Sequence, residues 1–153
     1  MLVQCDRLAW KLVGLTLILM LVGCATTPVS PSVAKRVPGE RVLAFQEETQ
    51  ERTATVVVTR DKGFVASACY YSFLLNGTHA ARFDVGETAR FRVAPGEILL
   101  RAGRDLMGQG LCGLGKDHWT QRETVLRPGE TKSFRLSIDA NGEADVQRAD
   151  PSQ

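Results

Sequence analysis

Residues 86–102, GETARFRVAPGEILLRA, decide the fold class of this chain. From residue 88 to residue 93 polar and apolar side chains alternate, and this period of two predicts a half-buried strand. Pro95-Gly96 then favours a type II turn, after which the alternation resumes at residues 98–102. The stretch therefore predicts two strands joined by a tight turn.

The same signals recur along most of the remaining chain. Residues 133–138 alternate in the same way, and residues 55–59 and 65–75 are rich in β-branched and aromatic side chains. Only residues 42–52 offer a short amphipathic helical pattern. Short strands with frequent turn signals predict an all-β fold, a small antiparallel β-sandwich.

Two kinds of dipeptide separate these strands. Asn76-Gly77 and Asn141-Gly142 suit two-residue hairpin turns, because both central positions need positive φ. Pro128-Gly129 suits a type II turn. The sequence Gly-Glu-Thr begins at Gly86 and occurs again at Gly129, with an apolar strand pattern after each. The interval between the two glycines equals the interval between Cys69 and Cys112. Either a duplication or the convergence of two strands entered by a glycine turn explains this echo.

The first 24 residues have the features of a secretory leader. Residues 1–11 carry basic side chains, and residues 12–22 are uncharged and almost wholly apolar. This apolar run is about half of the roughly 20 residues that a membrane-spanning helix needs. We therefore expect the leader to be cleaved.

The leader ends in Leu21-Val22-Gly23-Cys24, which resembles the bacterial lipobox. The resemblance implies that residues 1–23 are a lipoprotein signal peptide and that Cys24 becomes the lipidated N-terminus, attached to the membrane by its acyl chains. Ala25 stands where an aspartate is the usual inner-membrane retention signal of such lipoproteins. We expect an outer-membrane location facing the periplasm, with the inner membrane as the alternative. An ordinary signal peptide that ends in cysteine by chance is the competing interpretation.

The stretch after the leader is poor in apolar residues and contains Pro28, Pro31 and Pro38. Residues 24–41 are therefore predicted to be a disordered tether, which in a polyproline-like conformation would hold the domain about 50 Å from the lipid. A disordered leader with no spacer role is the alternative. The β-sandwich domain is expected at residues 42–148, with a disordered tail at 149–153.

The overall composition excludes several classes of protein. The chain has 153 residues, of which 44% are hydrophobic, and this size suits one domain with a real core. With 19 basic and 17 acidic side chains, the chain is not expected to bind nucleic acid.

Cysteine chemistry follows from the expected export. Loss of Cys5 with the leader and acylation of Cys24 leave Cys69 and Cys112 in an oxidising compartment, where they are expected to form a disulfide. The functional alternative is a nucleophilic Cys69 assisted by His79 or His118.

Part of the domain resembles a known family of envelope modules. The order Leu74-Leu75-Asn76-Gly77, Phe91-Arg92-Val93 and Pro95-Gly96-Glu97-Ile98-Leu99-Leu100 is similar to the PEGA-like β-sandwich modules of bacterial envelope lipoproteins. The resemblance covers residues 53–104 and implies an interaction or scaffolding role. It supplies no catalytic residues.

Patterns for other chemistry are present but lack their context. Residues 108–115 contain glycine spacings that match nucleotide-binding loops, yet a strand-like segment rather than a helix follows them. No serine lies in a hydrolase elbow, and no metal-ligand spacing accompanies His79 or His118, which are the only histidines. His79 is expected to be an exposed hairpin residue. We therefore predict no catalytic residues, no metal and no cofactor.

Aromatic side chains are the best candidates for binding a partner. Tyr70 and Tyr71 lie on opposite faces of one predicted strand, so only one of them can join the core, and Tyr70 is taken as the candidate. His118 and Trp119 follow the glycine-rich loop, where they could contact a periplasmic protein or a glycan. A core position is the alternative for Trp119.

Three functions remain open from the sequence. The first is a non-enzymatic binding or structural module of the envelope. The second is an inhibitor or sensor of an envelope hydrolase such as lysozyme, and the third is an enzyme that uses residues 108–119.

Overall fold

The structure, a computed structural model, describes residues 26–149. The predicted signal peptide, the predicted lipidation at Cys24 and residues 150–153 of the predicted tail lie outside the described residues. Nine strands make up the described part: β1 Lys35–Arg36, β2 Ala54–Arg60, β3 Tyr71–Leu75, β4 Thr78–Phe83, β5 Glu87–Val93, β6 Gly96–Arg104, β7 Trp119–Leu126, β8 Thr131–Ile138 and β9 Ala144–Arg148.

The strands form two sheets packed face to face. One sheet has the order β1-β5-β2-β8-β9 and the other the order β4-β3-β6-β7. The predicted all-β sandwich is therefore confirmed. Most neighbouring strands are antiparallel, as predicted, but β8 runs parallel to β2 and the short β1 runs parallel to β5.

The core lies between the two sheets and is built by the predicted alternation. Val56, Val58 and Phe91 from the five-stranded sheet are fully buried, as are Phe73 and Leu100 from the other sheet. The ring centroids of Phe73 and Phe91 lie 5.5 Å apart across the interface. Inward-facing residues of β2, β5 and β6 thus make the single core that the sequence predicts.

The sandwich has two unlike ends, to which we give names. The turn end carries the short connections at residues 76–77, 94–95 and 127–130. The loop end carries the connections at residues 61–70, 84–86, 105–118 and 139–143.

Two of the four predicted turns are confirmed, and Asn141-Gly142 is wrong. At Pro95-Gly96 the chain does turn between β5 and β6, but Gly96, with φ of 122°, is already the first residue of β6. Asn76 and Gly77 have φ of 48° and 79°, as a two-residue hairpin requires. At Pro128-Gly129 the glycine φ is 73°, and the Glu130 amide donates to the Arg127 carbonyl at 3.0 Å. Asn141-Gly142 is part of a longer loop at residues 139–143, because the carboxylate of Asp139 accepts the amides of Asn141 and Glu143, both at 2.8 Å.

Two predicted elements differ from those observed. The strand predicted at residues 65–75 begins only at Tyr71, because residues 65–70 turn around the side chain of Arg60, which binds their carbonyl oxygens. Residues 42–52 form no helix. Phe45 has φ of 64°, and its carbonyl accepts the Arg92 amide at 2.7 Å, so this segment lies along the edge of β5.

The segment predicted to be a disordered tether is docked on the domain along residues 26–41. Val37 is buried in the core, and β1 pairs with the start of β5. Arg41 is also buried and forms a bidentate ion pair with Glu87, with both N–O distances at 2.6 Å. The packed part of the chain therefore extends before residue 42, where the prolines are compatible with an edge segment that pairs on one side only.

The internal echo corresponds to one local turn used twice. Gly86 and Gly129 both have positive φ and lead into β5 and β8. The glutamate after each glycine accepts the backbone amide three residues earlier at 2.8 Å, Asp84 for Glu87 and Arg127 for Glu130. The shared Gly-Glu-Thr therefore has the same role in both turns.

Candidate interaction site at the disulfide-linked loops

The two longest connections of the loop end are covalently joined. Cys69 in residues 61–70 forms a disulfide with Cys112 in residues 105–118, with a Cα–Cα distance of 5.4 Å. The predicted pairing is confirmed. Because the bond consumes the sulfur of Cys69, the alternative of a nucleophilic thiol has no support.

Arg60, at the end of β2, anchors the first loop from inside. Its side chain is fully buried and donates to the carbonyl oxygens of Cys69 at 2.8 Å, Phe83 at 2.9 Å and Ala66 at 3.1 Å. The guanidinium lies 4.7 Å from the ring centroid of Tyr71, and burial lowers the pKa of Arg60. Sequence reasoning missed this residue, although it continues the inward-facing register of β2.

Asp105 anchors the second loop. Its carboxylate accepts two hydrogen bonds from Arg82, at 2.9 and 2.5 Å, and one from the Met107 amide at 3.1 Å. Burial alone would raise the pKa of Asp105, but the bonds from Arg82 and Met107 outweigh it and lower the pKa below the usual value. Both loops therefore leave the sandwich from fixed points.

Tyr70 and Tyr71 divide as predicted between the core and the outer face. Tyr71 is fully buried, and its hydroxyl donates to the Gly142 carbonyl at 2.6 Å. Tyr70 is half-buried, and two guanidinium groups lie close to its ring, Arg41 at 4.5 Å and Arg82 at 4.9 Å from the centroid. Part of the Tyr70 ring is thus already in contact within the molecule.

His118 and Trp119 lie at the same end but also have partners within the chain. His118 is exposed, with its Nδ1 atom 3.0 Å from a carboxylate oxygen of Glu143. Trp119 is half-buried and pairs with Gly103 of β6, over which its ring lies. The Arg101 guanidinium lies 5.3 Å from the centroid of the Trp119 ring. Trp119 therefore covers the outer face of the four-stranded sheet and does not join the core.

His79 differs from its predicted exposed position. Its side chain is half-buried, and its Nε2 atom is inaccessible and has no hydrogen-bond partner among the described residues. Burial lowers the pKa of His79. It lies beside Leu74 on the outer face of the four-stranded sheet.

Exposed apolar side chains concentrate on the two disulfide-linked loops. Among the described residues, five of the eight large hydrophobic side chains that are exposed lie there. Phe64 is 90% exposed and Leu111 is 82% exposed. We call this group the apolar tip: Phe64, Leu106, Met107, Leu111 and Leu114. Sequence reasoning missed it, although unpatterned leucines and a methionine among glycines were a visible signal.

The first described residues run beside the apolar tip. Thr27 and Lys62 exchange backbone hydrogen bonds of 2.7 and 2.9 Å, and the Thr26 hydroxyl donates to Asp61 at 3.1 Å. A Cβ on Gly63 would lie only 2.9 Å from the Thr26 methyl group, so glycine permits this close approach. Phe64 follows Gly63 directly.

Two surface grooves lie away from the apolar tip. The larger, of about 760 Å³, lies between β7 and β9. Its arginines are paired, Arg122 with Asp145 at 3.0 Å and Arg135 with Asp61. The smaller, of about 430 Å³, lies beside residues 31–37. Within residues 26–149 no group of three or more His, Cys, Asp or Glu side chains could hold a metal ion.

Comparison with protein families, with curated proteins and with solved structures finds no match to this chain. No helix within the described part of the chain has both the length and the apolar character needed to cross a bilayer.

Proposed function

We propose that this chain is a lipid-anchored lipoprotein on the periplasmic face of the outer membrane, and that it acts as a non-enzymatic binding or structural module through its apolar tip. The observation that carries the proposal is the concentration of exposed apolar side chains on two loops fixed by a disulfide, Arg60 and Asp105. Exposed apolar surface held in a defined shape marks a contact surface.

Two further features support an exported module. A disulfide that joins two surface loops is typical of proteins in oxidising compartments. The PEGA-like resemblance of residues 53–104 also points to an envelope scaffold, and a β-sandwich is the fold that it implies.

An inhibitor or sensor of an envelope hydrolase is the second candidate, because the two disulfide-linked loops are exposed and held in place. Inhibition of a glycosidase cleft calls for a polar or charged loop, whereas Leu111 and Leu114 make this one apolar. Addition of purified chain to a lysozyme assay on bacterial cell walls separates the two candidates. We expect unchanged hydrolysis, and a slower rate would favour the inhibitor.

Replacement of Cys24 tests the anchor. The Cys24→Ser chain should leave the membrane fraction for the soluble periplasmic fraction, since it has no residue to acylate. Cys5→Ser is the matched control, because Cys5 lies in the predicted signal peptide and is lost when that peptide is cleaved. The Cys5→Ser chain should therefore stay in the membrane fraction. A Cys24→Ser chain that still sediments with outer membranes after a high-salt wash would contradict the proposal.

A further inference from the structure

We propose that the apolar tip inserts into the surface of the same membrane leaflet that holds the acyl chains of Cys24. This inference rests on the proposed lipidation of Cys24. The partner of the contact surface would then be the lipid bilayer.

Chain length places the anchor beside the tip. Thr26 follows Cys24 by two positions along the chain, and two residues span at most about 7 Å. Thr26 and Thr27 are held against Asp61, Lys62 and Gly63 by hydrogen bonds and close contact. The acylated residue is thereby confined close to the loop that carries Phe64.

The docked N-terminal segment changes what the anchor can do. A free tether of the predicted length would leave the domain able to turn in any direction above the lipid. With residues 26–41 fixed along the sandwich by β1, Val37 and the Arg41–Glu87 pair, no such spacer remains in the described segment. The loop end therefore has to face the bilayer.

The chemistry of the tip suits the interface of a bilayer. Phe, Leu and Met side chains gain free energy when their surface enters the acyl region. Two buried acidic groups at the base of the loops are paired with arginines, Asp61 with Arg135 and Asp105 with Arg82. Lys62, beside Phe64, has the charge that anionic headgroups attract.

The loops are also prepared for insertion before they meet lipid. The disulfide joins them, and Arg60 and Asp105 fix their bases. Little conformational entropy is therefore lost on contact. The turn end lies at the far end of β6, whose 9 residues span about 30 Å. It would point away from the membrane.

Depth-dependent fluorescence tests the inference. The full chain contains two tryptophans, Trp10 in the predicted signal peptide and Trp119. Trp119→Phe therefore leaves the processed chain without tryptophan, and Leu111→Trp then places a single probe in the tip. Val125→Trp is the matched control, since Val125 is a 61% exposed aliphatic residue near the turn end. The chain is purified from membranes and reconstituted into phosphatidylethanolamine–phosphatidylglycerol vesicles with brominated acyl chains.

We expect the Leu111→Trp probe to lose more than about half of its fluorescence and the Val125→Trp probe to lose little, because only the tip reaches the acyl region. If the Leu111→Trp chain floats with the vesicles but its fluorescence is the same with and without bromine, membrane insertion of the tip is overturned and the lipid anchor is not. A tip probe that shifts to the blue only when envelope proteins are added would also overturn membrane insertion and would indicate a protein partner. A chain that does not float with the vesicles would instead contradict the lipid anchor.

Hydrogen exchange gives a readout that needs no substitution in the domain. Amides of residues 106–114 should exchange more slowly in the vesicle-bound lipidated chain than in the soluble Cys24→Ser chain. Amides of residues 127–130 should be the same in both. Equal exchange of residues 106–114 in the two chains would again overturn membrane insertion.

Discussion

The two ends of the sandwich are built by different means. At the turn end Asn76-Gly77 and Pro128-Gly129 close their connections with their own backbone conformations. At the loop end residues 61–70 and 105–118 depend on side-chain contacts, above all on the buried Arg60 and the Cys69–Cys112 bond. The difference shows that the short connections are closed by local backbone conformation, whereas the long ones need a buried side chain and a covalent bond to hold their shape.

Loss of the disulfide between the two loops should have the largest effect on stability. In the Cys69→Ala, Cys112→Ala chain we expect the free energy of unfolding to fall by up to about 4 kcal/mol, because the unfolded chain is no longer cross-linked. Urea unfolding measures the loss. Reducing agent should destabilise the parent chain and leave the double variant unchanged, and an equal stability of the two oxidised chains would contradict the role of the bond.

Arg60→Met should have the next largest effect. It leaves the carbonyl oxygens of Ala66, Cys69 and Phe83 without their buried donor, at a cost of about 3 kcal/mol in the free energy of unfolding. Arg90→Met is the control, since Arg90 is exposed on β5, and it should change stability by less than about 0.5 kcal/mol. Similar urea midpoints for the two variants would show that Arg60 does not anchor the loop.

A glycine substitution tests the turn end. Gly77→Ala should cost about 1 kcal/mol, because the residue has φ of 79° and an alanine there is strained even though space is open. Gly39→Ala adds the same methyl group, also into open space, at a position without positive φ, and should be nearly neutral. Thermal unfolding of both variants checks the difference, which would vanish if backbone strain were unimportant.

Acid should produce the smallest effect, through His79. Burial lowers its pKa from the ordinary 6.5, with Asp105 opposing burial and Arg82 assisting it. Below a pH of about 6.5 the imidazole is therefore protonated in the unfolded chain but still neutral in the folded chain. The free energy of unfolding falls with pH over this range, until the imidazole of the folded chain is protonated as well. His79→Gln should show a flatter change in urea midpoint between pH 7 and pH 5. Parallel curves would remove His79 from the explanation.

The sequence could predict what depends on neighbouring residues. The alternation at residues 88–93 and 133–138 marks β5 and β8, and Asn76-Gly77 marks its hairpin, because these signals act over a few positions. It could also predict the disulfide once export was assumed, since only two cysteines then remain.

Contacts between distant residues could not be predicted in the same way. The docking of residues 26–41 depends on one valine, Val37, and on the Arg41–Glu87 pair, and neither leaves a local pattern. The turn around Arg60 replaced a predicted strand, because a buried guanidinium took the carbonyl oxygens that a sheet would have used. The apolar tip was missed because its leucines follow no period.

The intact mass of the chain purified from membranes tests the lipid anchor most directly. We predict a chain that begins at Cys24, contains Cys69 and Cys112 in oxidised form, and is heavier than its residues by two or three fatty acyl groups and a glycerol. A mass equal to the full chain from Met1, or to a processed chain without added lipid, would contradict the anchor and with it the orientation of the loop end.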